Sequence, residues 1–469
     1  MVFSSLIFLY LFLPILLAAY FISKHAGYRI WVLIIFSYVF YAWGEPLWVI
    51  LLLLASLIGY VFALGIERTR GTWASKGLYV ASIVVNIGLL GFFKYAGFLV
   101  DNLNLLLPVD IPVPEVKLPI GISFFTFELI CYLTDVYKGT ISAPRSPKKV
   151  LFYVSFFPHL VAGPIIRYTD IEKQIERPQV TLAGFSAGIS RFMVGLGKKV
   201  LLANLLGETA AQLLTPSSAS SSVLGIWFGI ILFALQIYFD FSGYSDMAIG
   251  LGKMFGFNLR ENFNYPYVSK SAGEFWRRWN MSLGGFFRDY VYIPLGGNQR
   301  FYLRNLFVVW FLTGFWHGAS WNFIIWGLYF GMLIYIERQF LGKWLARIPA
   351  FFSHIYAVIV ILVGWVWFYF TDLSQGIQAL LTMFGLNHRE FANLELEFYI
   401  RDNLLLVLAA ILLSTPLVAR GLEKLAASSS KLGRGLVVAG SQVFNVAVLI
   451  LATILLVGSS YNPFLYYRF

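Results

Sequence analysis

The chain has 469 residues, of which 59% are hydrophobic and 12% charged, at a mean hydropathy of +0.74. A water-soluble globule cannot hide that much apolar surface, so soluble folds are excluded and an all-α polytopic membrane protein is expected. The formal charge of +12 implies no nucleic-acid partner, because Lys and Arg collect in cytoplasmic loops and meet lipid head groups there.

Met1-Val-Phe-Ser-Ser-Leu runs straight into an apolar stretch, with neither a basic start nor a small-residue cleavage site, so the first span is expected to stay. Apolar runs at 3–23, 30–43, 47–65 and 77–99 read as spans. The loops between them alternate in charge, with Lys24, Arg29, Arg68, Arg70 and Lys76 against Glu45, Asp101, Asp110 and Glu115. The positive-inside rule therefore puts the N-terminus outside. Residues 118–137 cross despite Glu128 and Asp135, and 152–166 reads as a re-entrant segment broken by Pro158, Gly163 and Pro164.

Lys198 and Lys199 read as loop charges, followed by spans at 200–214 and 223–239 and an inner stretch at 240–304 rich in arginine. Residues 305–335 go in and return, and the last spans are 351–371, 402–419 and 436–458. The reading expects roughly ten crossings, both termini extracytoplasmic, and one integral-membrane domain over 1–469. The single cysteine, Cys131, excludes internal disulfides, and no metal site is expected.

Polar and ionisable residues interrupt the grease mainly between Glu274 and His317, which makes that stretch the place to look for chemistry. His317 follows an apolar rise from Asn305 of about a dozen residues, roughly 18 Å if helical, which sets it near mid-bilayer. Flanked by Trp316 and Gly318, its imidazole can take a proton from an attacking hydroxyl, or it can be a structural histidine in a broken helix. Asn280 can donate to a developing oxyanion or staple a broken helix, and cannot serve as a base. Arg277, Arg278 and Arg288 suit phosphate groups, although Asp289 beside Arg288 favours an ion pair. Tyr238 to Asp246, with Asp240 inside it, and Glu261 to Tyr267 read as a helix-breaking polar network.

Four ordered elements, Trp276-Arg-Arg-Trp279-Asn280, Arg288-Asp-Tyr290, Ile293-Pro-Leu-Gly-Gly297 and Trp316-His-Gly318, resemble the bacterial branch of the membrane-bound O-acyltransferases. The chain is most similar to membrane subunits that O-acetylate envelope polysaccharides such as alginate and peptidoglycan. The resemblance implies a helical bundle with re-entrant helices around a central chamber. It also implies His317 and Asn280 as catalytic residues, Arg277, Arg278 and Arg288 at the donor, and His159, Trp279, Trp316 and Asp240 lining the chamber. Asn280 departs from the histidine that many bacterial relatives carry, which removes a two-histidine relay. The tail Tyr461 to Phe469 resembles a Phe-x-Tyr-x-x-Phe ending in which a tyrosine, here Tyr466, takes the acyl group and passes it outward. On its residues alone the same tail reads as an interfacial aromatic belt.

On this reading acetyl-CoA is the donor on the inner face of the bacterial cytoplasmic membrane. An extracytoplasmic partner acetyltransferase delivers the acetyl group to the polysaccharide. Two alternatives stay open: D-alanyl transfer from a carrier protein to teichoic acid, and a transporter or channel that uses the polar residues as a path.

Overall fold

The computed structural model describes residues 1–107, 110–215, 222–427, 431–458 and 461–462, so the expected relay residue Tyr466 lies outside the described residues. Among them all regular structure is helical. The helices are α1 (Leu13–Phe21), α2 (Ala26–Gly44), α3 (Trp48–Arg68), α4 (Trp73–Leu106), α5 (Ile122–Lys138), α6 (Pro147–Ser155), α7 (Phe157–Leu160), α8 (Tyr168–Glu176), α9 (Leu182–Gly197) and α10 (Asn204–Leu213). They continue with α11 (Val223–Met254), α12 (Ala272–Arg278), α13 (Met281–Phe287), α14 (Tyr302–His317), α15 (Trp321–Ile336), α16 (Gly342–Leu345), α17 (Ala350–Tyr369), α18 (Leu373–Met383), α19 (Leu394–Leu413), α20 (Leu417–Ala426) and α21 (Lys431–Gly458).

Six helices among the described residues are long and apolar enough to cross a membrane, and α19 with α20, bent by 59°, would make a seventh. The other expected crossings fall on shorter pieces. The stretch 305–335 is a hairpin of α14 and α15, each 16 residues. At 1.5 Å per residue each arm is about 24 Å long, short of a hydrocarbon core of roughly 30 Å.

The chain forms two compact units, residues 1–192 with 247–260, and residues 193–246 with 261–469. In the first, Phe3, Phe8, Phe12, Phe40 and Phe157 pack ring on ring. The expected break is present: α6 stops at Phe156, α7 is a single turn, and 161–167 is irregular. Irregular backbone away from water must find partners locally. Ser37 Oγ accepts the Phe157 N–H at 3.1 Å, and the Tyr153 hydroxyl donates to the Ile166 carbonyl at 2.7 Å.

In the second unit the helix-breaking reading of Tyr238–Asp246 is overturned. α11 runs unbroken through both aspartates to Met254, so the inner stretch does not begin at 240. Lys198 and Lys199 do not mark a loop either; they lie in a π-helical segment, Lys198–Ala203, between α9 and α10. The reason is charge pairing: Lys199 Nζ lies 2.7 Å from Asp240 Oδ1 with both side chains buried, and Lys198 Nζ lies 2.7 Å from Asp246 Oδ2. A buried charge that meets its opposite has no need of a loop and water.

The α14–α15 hairpin owes its closeness to glycine. A Cβ at Gly314 would lie 2.3 Å from the Phe323 carbonyl oxygen, and one at Gly327 would lie 2.3 Å from the Trp310 carbonyl oxygen. Small residues let two backbones approach where lipid supplies no hydrophobic drive. The turn is tied down by Asn322, whose amide donates to the Phe370 carbonyl at 2.6 Å and the Asp372 carbonyl at 3.2 Å at the end of α17.

Candidate active site

His317 is the last residue of α14 and is 3% exposed. Three rings stand edge-on to its imidazole: Trp316 at 4.7 Å between centroids, Trp326 at 4.9 Å and Phe368 at 5.0 Å. Gly318 follows in extended backbone, and a Cβ there would lie 2.3 Å from the Phe323 ring, so only glycine lets the chain leave the helix at this spot. The result is a titratable nitrogen heterocycle held in an apolar, water-poor wall.

The Trp-Arg-Arg-Trp-Asn element reaches the same wall. Trp276, on α12, packs on Trp326 at 5.2 Å and on Trp310 at 5.3 Å, and Trp326 touches His317. Trp279 packs on Trp365 at 5.0 Å and on Phe275 at 5.4 Å, and is buried. Elements 40 residues apart in sequence thus share one aromatic cluster.

Asn280 occupies the break between α12 and α13, with φ 43° and ψ 55°. Asparagine and histidine tolerate this left-handed region better than most residues. The conformation therefore supports the backbone role that the sequence left open. The side chain is 5% exposed and makes no capping hydrogen bond to α13. The left-handed backbone and the uncapping side chain belong to the same residue.

Two residues hold this break in place: Asn262, inside the polar segment Glu261 to Tyr267, and Glu337, which sequence reasoning missed. Asn262, fully buried, accepts the Met281 N–H with its carbonyl at 2.9 Å and the Ser282 N–H with Oδ1 at 3.1 Å, so it caps α13. Glu337 caps α12: Oε1 accepts the Ala272 N–H at 2.6 Å and Oε2 the Gly273 N–H at 2.9 Å. The Tyr356 hydroxyl donates to Oε1 at 3.2 Å. A carboxylate at a helix N-terminus satisfies orphan donors and complements the dipole. Neither cap lies near its helix in sequence, which is why no local signal marked it.

The expected donor arginines separate. Arg278 is committed to structure, bridging Glu274 at 2.9 Å and donating to the Asn264 carbonyl at 3.1 Å. Burial would raise the Glu274 carboxyl, but the Lys270 amide and the Arg278 guanidinium outweigh it and hold it below the ordinary value. Arg288 forks onto Asp289 at 2.7 and 3.1 Å, the ion pair that their adjacency favours. Arg277 is exposed and makes no hydrogen bond or ion pair among the described residues. Asp240 is the buried partner of Lys199. His159 belongs to the first unit, wholly buried, with Nδ1 2.8 Å from Glu128 Oε1. Glu128 lies on α5, the crossing read at 118–137, and its pairing with His159 was not visible in the sequence. No group of three or more His, Cys, Asp or Glu among the described residues could hold a metal ion.

The family model described as MBOAT, membrane-bound O-acyltransferase family, matches residues 136–375, which include α12, α14 and His317. The chain belongs to this family. It is 41% identical to the probable alginate O-acetylase AlgI of Azotobacter vinelandii over 394 residues, covering 82% of this chain and 78% of that one. It is 32% identical to the peptidoglycan O-acetyltransferase of Helicobacter pylori over 457 residues, covering 89% and 86%. Similarity to the teichoic acid D-alanyltransferase of Bacillus subtilis is 29% over 239 residues, 48% of this chain and 60% of that one. The chain is therefore a multi-pass membrane O-acyltransferase, and the transporter reading falls away.

Proposed function

We propose that this acyltransferase takes an acetyl group from a cytoplasmic thioester, acetyl-CoA, and passes it across the bacterial cytoplasmic membrane for O-acetylation of an envelope polysaccharide. The observation that carries the reading is His317, a buried imidazole at a helix end, walled by Trp316, Trp326 and Phe368. In such a site a neutral histidine takes the proton of an attacking hydroxyl, and exclusion of water protects the thioester from hydrolysis. Asn280, buried next to Trp279 and not used as a helix cap, donates to the acyl carbonyl. Arg277, exposed on the last turn of α12, meets the donor phosphates, whereas Arg278 and Arg288 act mainly through Glu274 and Asp289.

Acetyl transfer is favoured over D-alanyl transfer because relatives named for O-acetylation align with most of the chain, and those named D-alanyltransferase with 48% of it. Both termini lie outside the cell on this reading. Tyr466 near the C-terminus then carries the acetyl group briefly before an extracytoplasmic partner acetyltransferase delivers it to the polymer. Moving only the acetyl group spares coenzyme A a costly charged passage.

The test is polymer acetylation in cells carrying Tyr466→Phe or Tyr467→Phe, together with thiol release by isolated membranes. The reading expects membranes to release thiol from acetyl-CoA, Tyr466→Phe to lose polymer acetyl esters at unchanged protein level, and Tyr467→Phe to keep them. Membranes that use D-alanyl carrier protein and ignore acetyl-CoA would overturn the donor. Normal acetylation in Tyr466→Phe would overturn the relay.

A further inference from the structure

We propose that the indole N–H of Trp326, with that of Trp276 beside it, holds the acyl carbonyl oxygen during transfer at His317; this rests on the reading of His317 given above. Trp326 is 0% exposed, and its Nε1 makes no hydrogen bond among the described residues. Trp276 Nε1 is likewise buried and likewise without a bond among them. Buried indoles ordinarily find an acceptor. Their neighbours in the same unit do: Trp365 Nε1 donates to the Tyr267 hydroxyl at 3.1 Å, and Trp227 Nε1 to the Met383 carbonyl at 2.9 Å. Trp276 and Trp326, both without acceptors among the described residues, meet each other at 5.2 Å, and Trp326 touches the His317 ring.

A donor kept dry and without an acceptor is suited to an oxygen that arrives with the substrate and gains charge during reaction. In the first step the acceptor hydroxyl gives its proton to His317 as its oxygen bonds to the carbonyl carbon. The carbonyl electron pair moves onto oxygen, where the indole N–H groups meet the new negative charge. In the second step that pair returns, the C–S bond breaks, and the departing thiolate takes the proton back from His317. An ester and a free thiol result, with no oxidant or further reactant. Neither indole can titrate, so the donors hold over the whole working pH range.

The test replaces Trp326 by β-(3-benzothienyl)alanine, which keeps the bicyclic shape and exchanges N–H for sulfur. In detergent-solubilised full-length protein, thiol release from acetyl-CoA is measured alongside thermal stability, with Trp326→Phe and His317→Ala in parallel. Loss of an oxyanion donor predicts a kcat lower by about 10²–10³-fold. A donor that acts only in the transition state leaves KM for acetyl-CoA within about twofold. The apparent unfolding midpoint is expected to stay put, since shape and burial are kept. Turnover within about threefold of the unmodified protein, with His317→Ala inactive, would sink the Trp326 proposal and leave His317 standing. A stability loss that accompanies the activity loss would mean that the N–H works inside the fold, against a ring face, and would also overturn it. If His317→Ala itself keeps its turnover, the underlying reading fails.

Discussion

Glu337 offers a sharp test of how the active-site helix is held. Its two carboxylate oxygens take the first two free amides of α12, Ala272 at 2.6 Å and Gly273 at 2.9 Å, from 65 and 64 residues away. Glu337→Gln keeps the shape and leaves one acceptor, so one amide faces an NH2 group instead. A hydrogen bond to a charged group contributes about 1.5–3 kcal/mol. The lost charge at the helix N-terminus adds roughly 0.3–2 kcal/mol. A net loss of about 3 kcal/mol lowers the apparent unfolding midpoint by roughly 6 °C, at about 2 °C per kcal/mol in a unit of this size. Because α12 carries Trp276 and leads directly to Trp279 and Asn280, kcat should fall as well. Tyr356→Phe removes only the third, longer bond and should cost about 1 kcal/mol or less. The assay is thermal unfolding in detergent with thiol release from acetyl-CoA in the same preparation. A Glu337→Gln protein with unchanged midpoint and turnover would refute the idea that this carboxylate positions the helix.

Three further outcomes are expected. At Asn280, Ala removes the amide and strains a left-handed residue, whereas Gly removes the amide and relieves the strain. If the amide meets the acyl group, both variants lose about 10²-fold or more in kcat and His recovers part of it; if the role is backbone alone, Gly matches wild type. Asn262→Ala strips the cap from α13 and should cost about 1–2 kcal/mol in thermal stability. Gly314→Ala forces the hairpin apart against the Phe323 carbonyl and should cost about 1–3 kcal/mol, whereas Gly284→Ala, with open space around its Cβ position, should be neutral or slightly stabilising.

Much of the fold was legible because apolar run length and loop charge both follow from the cost of polar groups in lipid. The re-entrant break at Pro158 and Gly163 was readable for the same reason. Misreadings came where charge is cancelled within the fold. Lys198, Lys199, Asp240 and Asp246 look like loop and helix-end residues in one dimension, yet they pair across two helices. Sequence marks a charge as expensive and cannot see the partner that pays for it. The same blindness hid Glu128 behind His159 and Glu337 behind α12. His317 was legible because an ionisable group in an apolar run between Trp and Gly stands out locally. Trp326 was not, because one tryptophan in an apolar helix looks like any other until its N–H is seen to lack an acceptor.

The central claim is that acyl transfer happens at His317. The most direct measurement is acetyl-CoA-dependent thiol release by purified protein in lipid vesicles, comparing wild type with His317→Ala at matched insertion and unfolding midpoint. Loss of a general base predicts a fall of about 10²–10⁴-fold, or roughly 3–5 kcal/mol of barrier. A folded His317→Ala protein that releases thiol at the wild-type rate would contradict the account.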